Sequence, residues 1–186
     1  SIINSLYLSL YFFVYSFFGC ILETVFCFAF NLRIESRKCM LLSYLCPVYG
    51  LGGIAVSALS SPFKDNKIVT FFIGMIAATL VEYVMDMFYK DFLGVSFWDY
   101  SQRPMNINGR VWVVYSILWG LLSLLLVYKI HPAVQSFVSG VPNQVVIPLF
   151  VFLAADTVLS SILMYHFRTK DAISLSWIYH NVISIH

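Results

Sequence analysis

Long apolar blocks alternate along this chain with short polar connections. Stretches free of Lys and Arg run from about Leu6 to Leu32, Cys39 to Ser61, Ile68 to Tyr89, Val111 to Tyr128 and Val145 to Phe167. A bilayer core about 30 Å thick needs roughly 20 residues of helix, so each stretch is long enough to cross it. The last fourteen residues, ISLSWIYHNVISIH, are too few to cross alone and predict an interfacial helix or the start of a sixth span. The pattern therefore predicts an all-α, polytopic transmembrane bundle, one membrane domain over residues 1–186, with five spans, or six if the tail continues into one. Inside the second span, PVYGLGG (Pro47 to Gly53) predicts a kink or locally opened helix, because proline removes a backbone hydrogen bond and glycine permits close backbone approach. The same glycines would equally form a small-residue packing face, and either reading puts the segment inside the bundle.

Composition strengthens the picture. Charged residues make up 11% of the 186, against roughly a quarter in a soluble domain. The net charge is only +2 and no basic run stands out, so no nucleic-acid partner is expected. Arg33, Arg37, Lys38, Lys90, Arg103, Arg110, Arg168 and Lys170 fall on one side of the predicted topology, and Lys64, Lys67 and Lys129 on the other. The positive-inside rule then places loops 33–38 and 90–110 and the C-terminus in the cytoplasm, with the cell membrane as the expected location. The first span exceeds the apolar core of a signal peptide, carries a Glu and lacks an A-x-A-like exit, so it is expected to be retained. Cys20, Cys27, Cys39 and Cys46 form two pairs seven apart, each on one helical face, but no His or C-x-x-C accompanies them. They read as small apolar packing residues rather than a metal site.

Four acids lie inside the apolar spans: Glu23, Glu82, Asp86 and Asp156. An Asp at mid-membrane costs about 2.5–3.5 kcal/mol on insertion scales, so these groups need partners, protons or water. Counted at 1.5 Å per residue from the cytoplasmic ends, they sit roughly 15, 12, 6 and 18 Å deep. Thr79, Glu82 and Asp86 share one helix face, and Asp156 shares another with Ser160. The polar stretch WDYSQRPMNINGR (Trp98 to Arg110) could fold over them from the same side. Asp99, Tyr100, Asn106 and Asn108 would line an inner-leaflet cavity, and the forked Arg110 is the best placed to reach a membrane acid. The plainer alternative is that acids and arginines only close ion pairs that fix helix order. No P-loop is present, so ATP would act only through a separate subunit, and H-E-x-x-H and G-x-S-x-G are absent. His131, His166, His180 and His186 fall at connections or the tail, where solvated histidines are expected. Trp98, Tyr128, Trp177 and Tyr179 suit an interfacial aromatic belt.

The order of short motifs resembles one family. YSFFGCILE (Tyr15 to Glu23), CPVYGLG (Cys46 to Gly52), EY (Glu82, Tyr83), WDYS (Trp98 to Ser101), PMNINGR (Pro104 to Arg110), WG (Trp119, Gly120) and HP (His131, Pro132) follow the pattern of the ABC-transporter type IV, or CmpB-like, membrane proteins, to which the transmembrane protein 229 group is similar. The chain departs from that pattern at Arg37, Lys38 and Cys39, where the family reads Asn-Arg-Gly, and at Ser43-Tyr44, where Gly-Pro is expected. Lys90 replaces a second Glu, and Asp86 is outside the pattern. The resemblance implies a polytopic permease component and adds Tyr49 to the candidate substrate- or ion-binding residues.

Three functions compete. The leading one is a transport-type protein binding a polar or lipid-like substrate, with membrane lipid and a separate ATPase subunit or a second copy as partners. The second is a membrane-embedded enzyme acting on a lipid or isoprenoid, with Glu23 or Glu82 as base, Asp99 as acid or metal ligand and Arg110 on a phosphate. In the third, a non-catalytic membrane subunit, the polar cluster only holds helices together.

Overall fold

The computed structural model describes residues 2–30 and 42–184, so Arg33, Arg37, Lys38, Cys39 and His186 lie outside the described residues. Among the described residues, four helices are long and apolar enough to cross a membrane: α1 (Ile2–Ala29), α3 (Lys67–Leu93), α4 (Val113–Ser139) and α5 (Asn143–Phe167). Between α1 and α3 lies a shorter helix, α2 (Pro47–Ser60). Helix α2 packs on α1 and α3, α3 packs on α4, and α5 leans against α1. Phe28, Ile68, Phe92 and Ile162 point outward and are exposed, as side chains facing lipid would be.

The second apolar stretch differs from its expectation. Residues Leu42–Cys46 are not helical, and the helix starts at Pro47, so it is not one kinked span from Cys39. Proline is suited to that first position, where its missing N–H would have no partner anyway. The 14 residues of α2 reach about 21 Å, short of a bilayer core of about 30 Å. The segment that precedes it is held at depth: Leu45 and Cys46 are buried, and Cys46 N–H donates to Ser16 O in the middle of α1. Non-helical backbone at membrane depth is tolerated only inside protein, and here Leu45 and Cys46 are buried while Tyr44 stays exposed.

The glycines take the packing role. Gly19 of α1 lies against Tyr49, while Gly50 and Gly53 of α2 lie against Phe12 and Tyr15, so a Cβ at any of the three would overlap a neighbouring ring. Gly52 is the exception and faces open space.

Helix α3 starts where Asn66 Oδ1 accepts from Ile68 N–H (3.0 Å) and Val69 N–H (3.1 Å) and stops at Gly94, whose φ of +69° suits the left-handed residue that closes a helix. Helix α4 continues well past Tyr128. A wide π turn over Leu126–Ile130 precedes Pro132 and absorbs its missing donor, so the expected connection from Lys129 to Asn143 contracts to residues 140–142. His131 is consequently not a solvated loop residue: it is part of α4, shares a hydrogen bond with Tyr15 Oη and stacks on Tyr11. The tail forms a short helix, α6 (Leu175–Ile178, continuing as a π turn over Tyr179–Ile183), none of whose residues is buried.

Candidate functional site

The polar stretch between α3 and α4 is built around a hairpin. Strands β1 (Asn106–Ile107) and β2 (Val111–Trp112) pair antiparallel, Asn106 opposite Trp112 and Ile107 opposite Val111. Asn108 (φ +55°) and Gly109 (φ +67°) are both left-handed, as the tightest hairpin turns require, and Asn-Gly is the strongest sequence signal for them. Most of the stretch's hydrogen-bonding capacity serves this turn. Asn106 Nδ2 donates to Arg103 O (2.7 Å), its Oδ1 accepts from Gly109 N–H (2.8 Å), Tyr100 N–H donates to Gly109 O (2.8 Å) and Trp98 Nε1 donates to Arg110 O (2.9 Å). Asp99 Oδ1 accepts from Ser101 N–H (2.9 Å), and that backbone donor, with the Ser101 hydroxyl second, holds the Asp99 carboxyl below its ordinary range. Beneath the hairpin Phe97, Trp98 and Tyr100 are buried with Tyr89, Leu93 and Met164.

Replacing Gly109 with alanine would strain a positive φ and bring a Cβ to 2.8 Å from Asp99 Oδ1. The expected cost is about 1–2 kcal/mol, seen as a lower midpoint in thermal unfolding in detergent.

The polar stripe of α3 faces α4. Thr79 Oγ1 donates to Ser116 Oγ (2.9 Å), Trp119 Nε1 donates to Glu82 Oε2 (3.1 Å), and Asp86 Oδ2 lies 3.4 Å from Arg110 Nη1 and 3.1 Å from Lys90 Nζ. Glu82 and Asp86 are fully buried. The Arg110 fork does reach a membrane acid and is shared between two carboxylates: Nη1 donates to Asp86 Oδ2 (3.4 Å) and Nη2 donates to both oxygens of Asp91 (3.0 and 3.3 Å), while the guanidinium lies over the Tyr83 ring. Asn108 Nδ2 donates to Tyr83 Oη (2.8 Å). Asp91 was missed in the sequence because it stands beside Lys90 in what looked like a free connection.

Asp156, on α5, is bound to the broken segment ahead of α2. Its Oδ1 accepts from Leu42 N–H (3.1 Å) and Ser160 Oγ (3.0 Å), and its Oδ2 from Ser43 N–H (3.3 Å) and the Ser43 hydroxyl.

The remaining candidates share a chamber. Glu23, Tyr49, Asp99 and Tyr100 line a cavity of about 470 Å³ with Arg103, Trp112 and Trp119. Tyr49 Oη donates to Glu23 Oε1 (2.6 Å), the Tyr49 ring meets Trp119 edge-on at 5.2 Å, and the Arg103 guanidinium lies 5.1 Å from the Trp112 ring. Glu82, Asp86, Asn106, Asn108, Arg110 and Asp156 do not line it. No group of three or more His, Cys, Asp or Glu residues suited to a metal occurs among the described residues, and Cys20 and Cys27 are buried.

No curated protein and no solved structure matches the chain. The family described as Putative ABC-transporter type IV matches residues 10–161, which include most of α1, all of α2 to α4, the hairpin and most of α5. With its four apolar helices long enough to cross a bilayer, the chain is an integral membrane protein of transporter type and belongs to the Putative ABC-transporter type IV family.

Proposed function

We propose that the protein is a permease-type subunit whose substrate site is the chamber of Glu23, Tyr49, Asp99 and Tyr100. The observation that carries this reading is the chamber itself, which combines a membrane carboxylate with a polar hairpin beside the non-helical segment that leads into α2. Unwound backbone of this kind borders the substrate sites of many transporters. The excess of Lys and Arg at the hairpin end supports a cytoplasmic position for that end and an inner-leaflet one for the chamber. The non-helical segment and α2 together complete a fifth crossing. A separate ATPase would dock on the cytoplasmic loops, since the chain has no P-loop of its own.

The full chain, tagged and purified in mild detergent from its native host, is expected to retain a stoichiometric ATPase whose turnover rises with added amphiphile. Glu23→Gln is expected to abolish the stimulation with folding intact, because the Gln carbonyl can still accept from Tyr49. Absence of any bound ATPase, with no solute flux in proteoliposomes, would overturn the reading.

A further inference from the structure

The chamber has a neighbour. A second cavity of about 410 Å³ adjoins it, and Leu22, Tyr49, Trp119 and Leu122 line both. Each volume falls within the roughly 300–1,000 Å³ of ordinary ligand sites. The two differ in chemistry. The second cavity is walled mainly by aliphatic side chains of α1, α2 and α4, such as Ile21, Val25, Val56 and Leu125, and it has no charged residue in its lining. The first carries two carboxylates, Glu23 and Asp99, against one guanidinium, Arg103, among the described residues, with the rings of Tyr49, Phe97, Trp112 and Trp119 between them. Aromatic faces with a surplus carboxylate attract an organic cation, and most strongly a weakly hydrated ammonium that bare carboxylates alone would bind poorly.

We infer that the paired cavities bind a cationic amphiphile: an ammonium head in the aromatic chamber, with Glu23 as its counter-charge, and an aliphatic chain in the adjoining cavity. The Glu23 carboxylate uses one oxygen on Tyr49, and burial keeps its field from being screened. Tyr49 and Trp119 stand at the junction, where head and chain would meet. The charge balance selects a cation over an anionic head, because two carboxylates outnumber the one guanidinium, Arg103, in the lining among the described residues.

This inference rests on the chamber's being the substrate site. The test uses the full chain in nanodiscs of phosphatidylglycerol, a lipid without an ammonium group. The probe is dodecyltrimethylammonium with a brominated chain, which quenches nearby tryptophan fluorescence. Saturable quenching is expected, displaced by tetramethylammonium but not by a maltoside with the same chain. Glu23→Gln is expected to weaken the probe by about tenfold or more, from loss of the counter-charge. Gly52 lines the aliphatic cavity, and a Cβ there meets nothing within 4 Å, so the Gly52→Leu side chain enters the cavity without a clash at its Cβ. That variant should weaken the long-chain probe and leave tetramethylammonium unaffected. Equal quenching by a brominated maltoside, an unchanged affinity in Glu23→Gln, or an unchanged long-chain affinity in Gly52→Leu would overturn the inference. Saturable binding without a coupled ATPase would sink the transport reading alone, and an ATPase stimulated only by neutral amphiphiles would sink this one alone.

Discussion

Asp156→Ala is expected to cost the folded protein about 3–5 kcal/mol, the largest effect of any single polar substitution in the bundle. The carboxylate is buried on α5 and accepts from two backbone N–H groups, Leu42 and Ser43, and from the hydroxyls of Ser43 and Ser160. Those backbone donors belong to the non-helical segment ahead of α2, where the helical hydrogen bonds that would satisfy them are missing. At a depth of roughly 18 Å no water replaces them, so removing the carboxylate strands the Ser43 amide and leaves the segment tied to α5 only by the longer bond from Leu42 N–H to Ser160 Oγ (3.3 Å). Asp156→Asn keeps one strong acceptor and should recover about half of the loss. Thermal unfolding in mild detergent, followed by loss of the monodisperse peak, reads the order wild type, Asn, Ala. Melting of the alanine variant with the wild type would show that the segment is held by its apolar packing instead.

This bond also marks a limit of what the sequence could disclose. Asp156 and Ser43 are far apart in the chain, and no periodicity connects them. The stripe of Thr79, Glu82 and Asp86 was legible because helical spacing alone puts three polar groups on one face, and that face does turn to α4. The family departures become intelligible only in three dimensions. Asp86 and Lys90 both depart from the family pattern, and they are each other's ion-pair partners one helical turn apart. Ser43, where the pattern has Gly, supplies a hydroxyl to Asp156. Other features were present in the letters but read differently: Asn108-Gly109 announces a hairpin, and Pro47 can begin a helix as well as bend one. Helix length misled in both directions. Apolar composition extended the second span back to Cys39, although its backbone leaves the helix before Pro47, and Lys129 with Pro132 suggested a loop where α4 runs on to Ser139. Of the site, Glu23 was legible as an acid in an apolar span, whereas Trp112 was not, because an aromatic belt accounts for a tryptophan near a span end equally well.

Arg110→Met should lower stability by about 2–4 kcal/mol while leaving ammonium binding unchanged. Arg110 is the hub of a network in which Asp86 and Asp91 are opposed by Lys90 and Arg110 itself, two charges of each sign. Methionine keeps the length and apolar stem of the side chain but removes the guanidinium. It leaves the fully buried Asp86 with Lys90 alone and Asp91 with no cation bonded to it among the described residues. Because Asp86 is shielded from solvent, added salt should restore little of the loss. Asp86→Asn in the Arg110→Met background should regain part of it by removing the uncompensated charge, and a double-mutant cycle on unfolding midpoints measures the coupling. The same variants separate two roles for the arginine. A guanidinium that held a substrate phosphate would be felt first in ligand affinity, and Arg110→Lys would rescue it poorly, because lysine cannot reproduce the fork. A guanidinium whose charge is already balanced by Asp86 and Asp91 has none to offer a phosphate, so its loss should appear in the melting curve and not in the titration of the chamber that Arg110 does not line.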